Sequence, residues 1–367
     1  MNKILIPYSK HGLILKSHLV MAPMTRSRAI NNIPTSLMAE YYGQRSGAGL
    51  IITEGTSPMA DGLGYPRIPG IYNKEQVDGW GNVTATVHTC GSKIFCQLMH
   101  TGRIGHQDNL PEGAHLVGAS SIKAAGQMFT DTVGMQDYTA PIALTTAGVK
   151  ATIQGHVSAA QNAMEAGFDG IELHGANGYI IEQFLHPVIN NRTDEYGGDF
   201  KGRATFVLEM AQKVADSIGK DKVGIRFSPF STLGDLQAYD PEEVHNTYLY
   251  LAQQLNKTGI AYLHFGMSAK IAQKTLDAVR QAFGGTIIIC NGLTPESAEI
   301  ALEQGFADLV AFARSFLANP DLEKRIAENG PLAKPDLATA YTPGAHGYTD
   351  YPTLADSLEK VVLVGSN

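Results

Sequence analysis

Short apolar runs alternate along the chain with longer segments in which apolar residues recur every three to four positions. The short runs predict eight strands, at Leu19–Met24, Leu50–Glu54, Ile94–His100, Gly170–His174, Val223–Ser228, Tyr262–Phe265, Ile287–Asn291 and Leu309–Phe312. The longer segments predict helices at Glu75–Thr89, Ala147–Ala166, Ala204–Ile218, Glu243–Asn256, Ile271–Phe283 and Pro295–Glu303. Eight strands that alternate with helices favour an α/β fold, a parallel sheet closed into a single (β/α)8 TIM barrel.

Two segments exceed what a barrel needs. Lys3–His18 has the pattern of an N-terminal β-hairpin that turns at Lys10-His11-Gly12, and we expect it to cover the bottom of the barrel. Thr101–Leu144 follows the third strand and is much longer than an ordinary connection, so it predicts a lid over the top face. No linker or change of composition divides the chain, and residues 1–367 are therefore predicted to form one domain.

Composition narrows the class of protein. The chain has 44% apolar residues and a net charge of −7, which argues against nucleic acid or an anionic membrane as the main partner. No segment approaches the roughly 20 apolar residues of a membrane span, and residues 1–7 lack the apolar core of a signal peptide. Cys90, Cys96 and Cys290 have no metal-ligand spacing and cannot all pair, which predicts a reducing, cytoplasmic location. The oligomeric state, monomer or dimer, stays open.

Polar side chains follow several of the predicted strands, where barrel enzymes carry their chemistry. The fourth strand leads into His174-Gly175-Ala176-Asn177-Gly178-Tyr179, which places two hydrogen-bond donors and a phenol within six residues. Because side chains alternate along a strand, Gln97, His174 and Arg226 fall on the face opposite their apolar neighbours. We expect these three side chains to converge with Thr25 at the mouth of the barrel.

The ends of strands seven and eight predict a phosphate site. Gly292 allows close approach of the backbone, Ala313 offers its backbone N–H, and Arg314 supplies a guanidinium fork. The alternative is that Gly292 only makes a tight turn and Arg314 is a surface cation.

Five motifs in order resemble the old yellow enzyme family of FMN-dependent ene-reductases, in its Thr-containing branch. They are Met21-Ala22-Pro23-Met24-Thr25-Arg26, Gln97-Leu98-Met99-His100-Thr101-Gly102-Arg103, His174-Gly175-Ala176-Asn177-Gly178-Tyr179, Asn191-Arg192-Thr193-Asp194-Glu195-Tyr196-Gly197-Gly198, and Phe312-Ala313-Arg314 with Asn319-Pro320-Asp321. The resemblance covers nearly the whole chain. It implies tightly but non-covalently bound FMN, NADPH or NADH as reductant, and ping-pong reduction of alkenes conjugated to a carbonyl or nitro group, with nitroesters as a further class.

The resemblance also implies roles for individual residues. His174 and Asn177 match the pair that binds the substrate oxygen, and Tyr179 matches the acid that protonates the α-carbon. The positions that match flavin contacts are Pro23, Met24, Thr25, Gly55, Gln97 and Arg226 for the ring, and Gly292, Ala313 and Arg314 for the phosphate. The positions that match the wall of the substrate pocket are Tyr65, Tyr341 and Met99. Met99 stands where many relatives carry Trp, and Ala313 where they often carry Gly.

Two other functions could use a barrel of this kind. A flavin-free, phosphate-binding barrel lyase would need a strand-end Lys or clustered metal ligands, and the strand ends offer neither. A non-catalytic flavin-binding redox protein would not need the set of His174, Asn177 and Tyr179. No G-x-G-x-x-G follows a predicted strand, so we expect the nicotinamide to bind at the same mouth as the substrate.

Overall fold

The eight predicted strands all form, and they pair in parallel into one closed barrel. The structure, a computed structural model, describes residues 3–268, 270–290 and 292–358. The barrel strands, one to eight, are Leu19–Met21, Leu50–Ile52, Lys93–Leu98, Gly170–Gly175, Val223–Phe227, Tyr262–Gly266, Thr286–Cys290 and Leu309–Phe312. Asn291, the predicted end of strand seven, lies outside the described residues. The (β/α)8 prediction is confirmed.

Helices surround the barrel. The longer ones are Ser36–Gln44, Lys74–His88, Thr146–Glu165, Phe200–Ile218, Pro241–Thr258, Gln273–Ala282 and Pro295–Glu303, and the shorter ones are Ile180–Leu185, Arg314–Ala318 and Leu322–Ala327. All six predicted helices are present. Pro295–Glu303 begins as its sequence indicates, with Thr294 as N-cap in a capping box and Pro at the first helical position.

The two faces of the strands carry different side chains. Ile94, Cys96 and Leu98 point outward and pack in the core shared with the helices. On the inner face of strand three Phe95 joins an apolar cluster in the lower barrel, whereas Gln97 lies above it. The predicted alternation is therefore confirmed, and polar groups collect at the upper end of the barrel interior.

The N-terminal hairpin covers the bottom of the barrel, as predicted. Tyr8–Lys10 pairs with Leu13–Leu15, and the two turn residues His11 and Gly12 have φ of 51° and 83°, which suits a tight hairpin turn. The Tyr8 hydroxyl lies 2.7 Å from Oγ1 of Thr286, at the start of strand seven.

The segment after strand three forms the expected lid. Its strands Gln127–Thr130 and Gly134–Asp137 make an antiparallel hairpin, and Val117–Gly118 pairs with Ile142–Ala143. Asp131, at the tip of this lid hairpin, forms an ion pair with Arg67. Arg67 also donates to the carbonyl oxygens of Ser27 (3.0 Å) and Tyr341 (3.0 Å). One arginine thus joins the lid hairpin, the loop after strand one and the C-terminal segment.

Candidate active site

The upper ends of the strands enclose a cavity of about 370 Å³, which we call the inner cavity. Ten of the predicted site residues line it: Pro23, Thr25, Tyr65, Gln97, Met99, His174, Asn177, Tyr179, Arg226 and Tyr341. Its other lining residues, which the sequence analysis did not identify, are Ile104, Tyr138, Leu233 and Gly234. The polar strand ends therefore do meet, and long loops complete the walls.

A second chamber of about 610 Å³ adjoins the inner cavity on the lid side. The two share Thr25, Tyr65, Tyr179 and Tyr341 as walls. The lid contributes apolar side chains to this outer chamber: Met128, Phe129 and Met135. The arrangement provides an entrance from solvent to the strand ends that is mostly apolar.

Gln97 and Arg226 line the inner cavity and are bonded to two buried side chains beneath it, Glu172 and His264; we call these four side chains the floor. Gln97 Nε2 donates to Glu172 Oε1 (2.8 Å), and His264 Nδ1 lies 2.8 Å from Glu172 Oε2. His264 also hydrogen-bonds Arg226 through Nε2. Since a guanidinium can only donate, Nε2 accepts and Nδ1 carries the proton that is donated to Glu172. His264 was not predicted, although its inner-face position on strand six, beside Arg226 in register, was a usable signal.

His174 presents an unsatisfied polar atom to the inner cavity. Its side chain is buried, and Nδ1 has no hydrogen-bond partner among the described residues. Burial lowers the pKa of His174 well below its usual value, and the positive charge of Arg226 lowers it further. The imidazole is therefore neutral at pH 7 and has one N–H to donate.

Asn177 is held in an unusual backbone conformation, with φ of +59°. Its N–H donates to Ser228 Oγ (2.8 Å), and Ser228 Oγ donates to Glu182 (3.1 Å). Glu182 also accepts from the N–H of Gly178 at 2.8 Å. These bonds offset a conformation that costs on the order of 1–3 kcal/mol. They leave the Asn177 carboxamide without a hydrogen bond among the described residues, at the wall of the inner cavity.

Tyr179 stands between the two chambers. Its hydroxyl donates to the Tyr65 hydroxyl at 3.0 Å, and its ring packs edge-on to His174, with centroids 5.0 Å apart. Burial raises the pKa of Tyr179 to about 12. The phenol is therefore protonated across the physiological range and holds a proton beside His174.

Gly292, Ala313 and Arg314 lie apart from the inner cavity, and we call them the open edge. Gly292 has φ of +66°, and a Cβ added there would meet no atom within 4 Å. Arg314 is exposed and has no hydrogen bond or ion pair with any described residue. Ala313 directly precedes the short helix Arg314–Ala318. The open edge thus offers an unpaired cation beside a backbone with free space around it.

Two further predicted flavin contacts, Gly55 and Met24, also do not line the inner cavity. A Cβ added to Gly55 would lie 2.4 Å from Met99 Sδ, so this glycine makes room for the Met99 side chain. Met24 is partly buried against the core between barrel and helices.

Neither a metal cluster nor a membrane span is found in the part of the chain that the structure describes. It contains no group of three or more His, Cys, Asp or Glu side chains arranged to hold a metal ion. None of its helices is both long and apolar enough to cross a bilayer.

Comparison with known proteins identifies the family. The profile of the NADH:flavin oxidoreductase / NADH oxidase family matches residues 7–333. The chain is 39% identical over 361 residues to 12-oxophytodienoate reductase 2 of Arabidopsis thaliana, with 96% of each chain covered. It is also 39% identical over 359 residues to a protein of Leishmania infantum named "probable flavin mononucleotide-dependent alkene reductase", covering 95% of this chain and 97% of the relative.

Solved structures agree with these relatives. The structure of morphinone reductase superposes with a TM-score of 0.92 at 38% identity, covering 97% of this chain and 98% of that one. Morphinone reductase in complex with tetrahydroNAD gives a TM-score of 0.91 at 38% identity, with 95% and 97% covered. The chain therefore belongs to the NADH:flavin oxidoreductase / NADH oxidase family, and it is an FMN-dependent enzyme of the old yellow enzyme type that uses NAD(P)H to reduce carbon–carbon double bonds.

Proposed function

We propose that this enzyme reduces the C=C bond of α,β-unsaturated carbonyl and nitro compounds, and that nitroesters are a further substrate class. One observation carries the proposal. His174 Nδ1 and the Asn177 carboxamide have no partner among the described residues, and both lie at the inner cavity beside the protonated phenol of Tyr179. Two free polar groups and an acid in one cavity suit a substrate that gains negative charge on oxygen and then a proton on carbon.

The residues present fit FMN. Gln97, Arg226 and Thr25 line the inner cavity and match the polar edge of a flavin ring, and Pro23 offers an apolar surface. The space above Gly292 and the unpaired Arg314 match a phosphate. Ala313 would add its backbone N–H, while Met24 and Gly55 would support the ring from behind the cavity wall. FMN held by these residues would supply the chemistry of hydride transfer between the nicotinamide and the β-carbon of the alkene.

His174 and Asn177 would bind the carbonyl or nitro oxygen of the substrate. Each can place an N–H donor where negative charge develops. Loss of one such donor typically costs about 3 kcal/mol of transition-state stabilisation. The bonds of Ser228 and Glu182 to the backbone N–H groups of Asn177 and Gly178 fix this turn before the substrate arrives, so little backbone reorganisation would accompany binding.

Tyr179 would protonate the α-carbon. Its hydroxyl is shared with Tyr65, which can keep the phenol oriented while the proton leaves. Tyr65, Tyr341 and Met99 would form the pocket walls around the alkene. Of these three, Tyr341 is the most exposed, at 62%.

The nicotinamide and the substrate would use the same mouth in turn. His174 and Tyr179 both line the inner cavity, and Tyr179 is one of the four wall residues that this cavity shares with the outer chamber. Ping-pong kinetics with mutual competition are therefore expected, and a ternary complex of enzyme, nicotinamide and alkene would contradict the proposal.

We further propose that the chain is one domain and acts in the cytoplasm. Strands from Leu19 to Phe312 close one barrel, and the loop from Leu337 to Gly347 contacts Arg28 near its mouth. Cys90, Cys96 and Cys290 are all free thiols, in keeping with a reducing compartment.

The experiment that tests the proposed function starts from the purified protein. We expect a yellow protein that releases FMN on denaturation, is bleached by NADPH without oxygen, and regains its colour on addition of cyclohexenone. A folded, colourless protein that does not take up added FMN would contradict it. So would a flavoprotein that NADPH reduces but that no enone or nitroalkene reoxidises.

A further inference from the structure

Two side chains that line the inner cavity are linked by hydrogen bonds to the same buried carboxylate, that of Glu172. Gln97 is bonded directly to Glu172 Oε1, and Arg226 is connected through His264 to Glu172 Oε2. Glu172 and His264 are each 0% exposed, and Arg226 is 6% exposed. These contacts come from strands three, four, five and six, so Glu172 links half of the barrel beneath the cavity.

The hydrogen-bond directions fix how the floor faces a ligand. Because the Gln97 amide donates one N–H to Glu172, its nitrogen is turned toward that carboxylate, and its carbonyl oxygen is left to accept from a ligand N–H. Because His264 accepts from Arg226, one guanidinium nitrogen is used below the cavity and the rest of the fork is left for the ligand. Glu172 therefore determines which polar groups the floor presents.

The opposite charges of Glu172 and Arg226 would also affect the redox potential of a flavin bound above them. A buried carboxylate close to a buried guanidinium cancels part of its field, and the cancellation is strong because few water molecules screen it. A cation beneath a flavin favours the reduced ring, which carries more negative charge than the oxidised one. A carboxylate behind that cation must act in the opposite direction.

We propose that Glu172 is a positioning residue that acts through His264 and Gln97, and that it lowers the midpoint potential of the bound flavin by compensating Arg226. This inference rests on the proposed function, because it assumes that FMN lies over the floor. It assigns a role to Glu172 and His264, two buried groups that the reaction itself does not consume.

Other titratable groups face Arg226 and determine the conditions of the test. They are His174, Tyr262 and Cys290. Burial alone would raise the pKa of the Cys290 thiol, but the charge of Arg226 and the nearby His264 outweigh burial and lower that pKa to about 7. A Cys290 thiolate would also compensate Arg226, so potentials should be compared well below that pKa, where the thiol is protonated.

The test is a redox titration of FMN-loaded variants against dyes of known potential. Glu172→Gln keeps the size of the side chain and removes its charge, so we expect the midpoint potential to rise. His264→Gln can still donate to Glu172 and accept from Arg226, so its potential should stay near that of the unsubstituted enzyme. His264→Leu breaks the connection, releases Arg226 from its position, and should lower the potential. His156→Gln replaces a buried histidine outside the barrel and is the matched control.

Opposite shifts in Glu172→Gln and His264→Leu separate this role from general loosening of the core, which would affect both in the same direction. A potential that is unchanged or lower in Glu172→Gln overturns the inference. If Glu172→Gln does not fold, the pair of His264 variants decides, and equal potentials in Leu and Gln overturn it. Arg226→Ala is measured in parallel. If Arg226→Ala leaves the midpoint potential unchanged, the proposed contact between Arg226 and the flavin is wrong. If Arg226→Ala lowers the potential but Glu172→Gln does not raise it, only the inference about Glu172 is rejected.

Discussion

The floor of the inner cavity and the open edge present polar groups to a ligand in opposite ways. On the floor, Gln97, Arg226 and His264 are all bonded to one another or to Glu172 within the protein. At the open edge, Arg314 has no partner among the described residues and Gly292 has free space around it. Burial explains the difference, because a buried polar group left unpaired destabilises the fold, whereas an exposed one is solvated by water. If FMN binds as proposed, it would meet a floor whose hydrogen bonds already exist, and its phosphate would supply the missing partner of Arg314 at the open edge.

The first prediction removes the cation of the floor. Arg226→Ala removes a positive charge near the buried Glu172 carboxylate and leaves His264 Nε2 without its hydrogen-bond donor. Removing one partner of a buried charged pair typically costs about 3–5 kcal/mol of unfolding free energy. Denaturant unfolding of the FMN-free protein measures the loss. Because the cost belongs to the protein alone, it should appear without FMN. Equal stability of the variant and the unsubstituted protein would mean that the floor is not organised in advance.

The second prediction concerns Tyr179, the proposed proton donor, whose hydroxyl is also bonded within the protein. Tyr179→Phe removes the acid but keeps the ring that packs on His174, so alkene reduction should fall by roughly 10²–10⁴-fold. Reduction of the flavin by NADPH does not use this proton and should be nearly unchanged. Stopped-flow measurement of the two half-reactions separates them, and equal losses in both would refute the role of Tyr179.

The third prediction removes the cation of the open edge. Arg314→Ala should weaken FMN binding by about 1.5–3 kcal/mol, the usual contribution of hydrogen bonds to a charged group. The unfolding free energy of the FMN-free protein should change by no more than about 0.5 kcal/mol, as for other surface substitutions. Isothermal titration with FMN and denaturant unfolding give the two numbers. A stability loss comparable to that of Arg226→Ala would remove the distinction between floor and edge.

The fourth prediction uses backbone conformation at the open edge. Gly292→Ala places a side chain at φ of +66° without a steric contact, so the FMN-free protein should lose about 1 kcal/mol of stability. FMN binding should also weaken, since the methyl group enters the space assigned to the phosphate. Gly55→Ala contrasts with it in stability: its methyl group would collide with Met99, so the FMN-free protein should lose about 1–3 kcal/mol. An FMN affinity that Gly292→Ala does not alter would place the phosphate elsewhere.

The smallest effect is expected from pH. Tyr179 must be protonated to act, and burial raises its pKa to about 12. The rate constant for alkene reduction should therefore not decline as the pH rises from neutral to about 10, the pKa of an ordinary tyrosine. Single-turnover rates at a series of pH values provide the check. A decline centred near the ordinary pKa would show that Tyr179 is not desolvated.

Much of this arrangement could be predicted because it depends on local patterns. The period-two alternation located Gln97, His174 and Arg226 on the inner face, and the loop motif located Asn177 and Tyr179. Strand ends were less accurate: the first strand was predicted to reach Met24 but ends at Met21, because the following residues turn away from the sheet to form the mouth.

What was missed depends on contacts between distant segments. The bond from Asn177 to Ser228, and the walls formed by Leu233 and Gly234, join loops that the sequence pattern does not bring together. The helix Ser36–Gln44 was also missed, since it is short and contains two tyrosines and a glycine, which favour other structures. Glu172 was not predicted as part of the site, because its hydrogen-bond partners Gln97 and His264 lie on two other strands.

The contacts that hold the lid hairpin in place affect the entry of large molecules into the outer chamber, because residues of this hairpin form part of its wall. The side chains of Arg67 and Asp131 are 19% and 48% exposed, and such exposed ion pairs usually contribute only about 0–1 kcal/mol. Thermal motion is enough to separate them repeatedly. The rest of the hairpin stays attached, because Met128 is buried against Ile104 and Ala124 and Asn109 Nδ2 donates to the Phe129 carbonyl oxygen (3.0 Å). We therefore expect only the tip at Asp131 to move aside, and the width that this tip leaves open limits the size of molecules that reach the outer chamber.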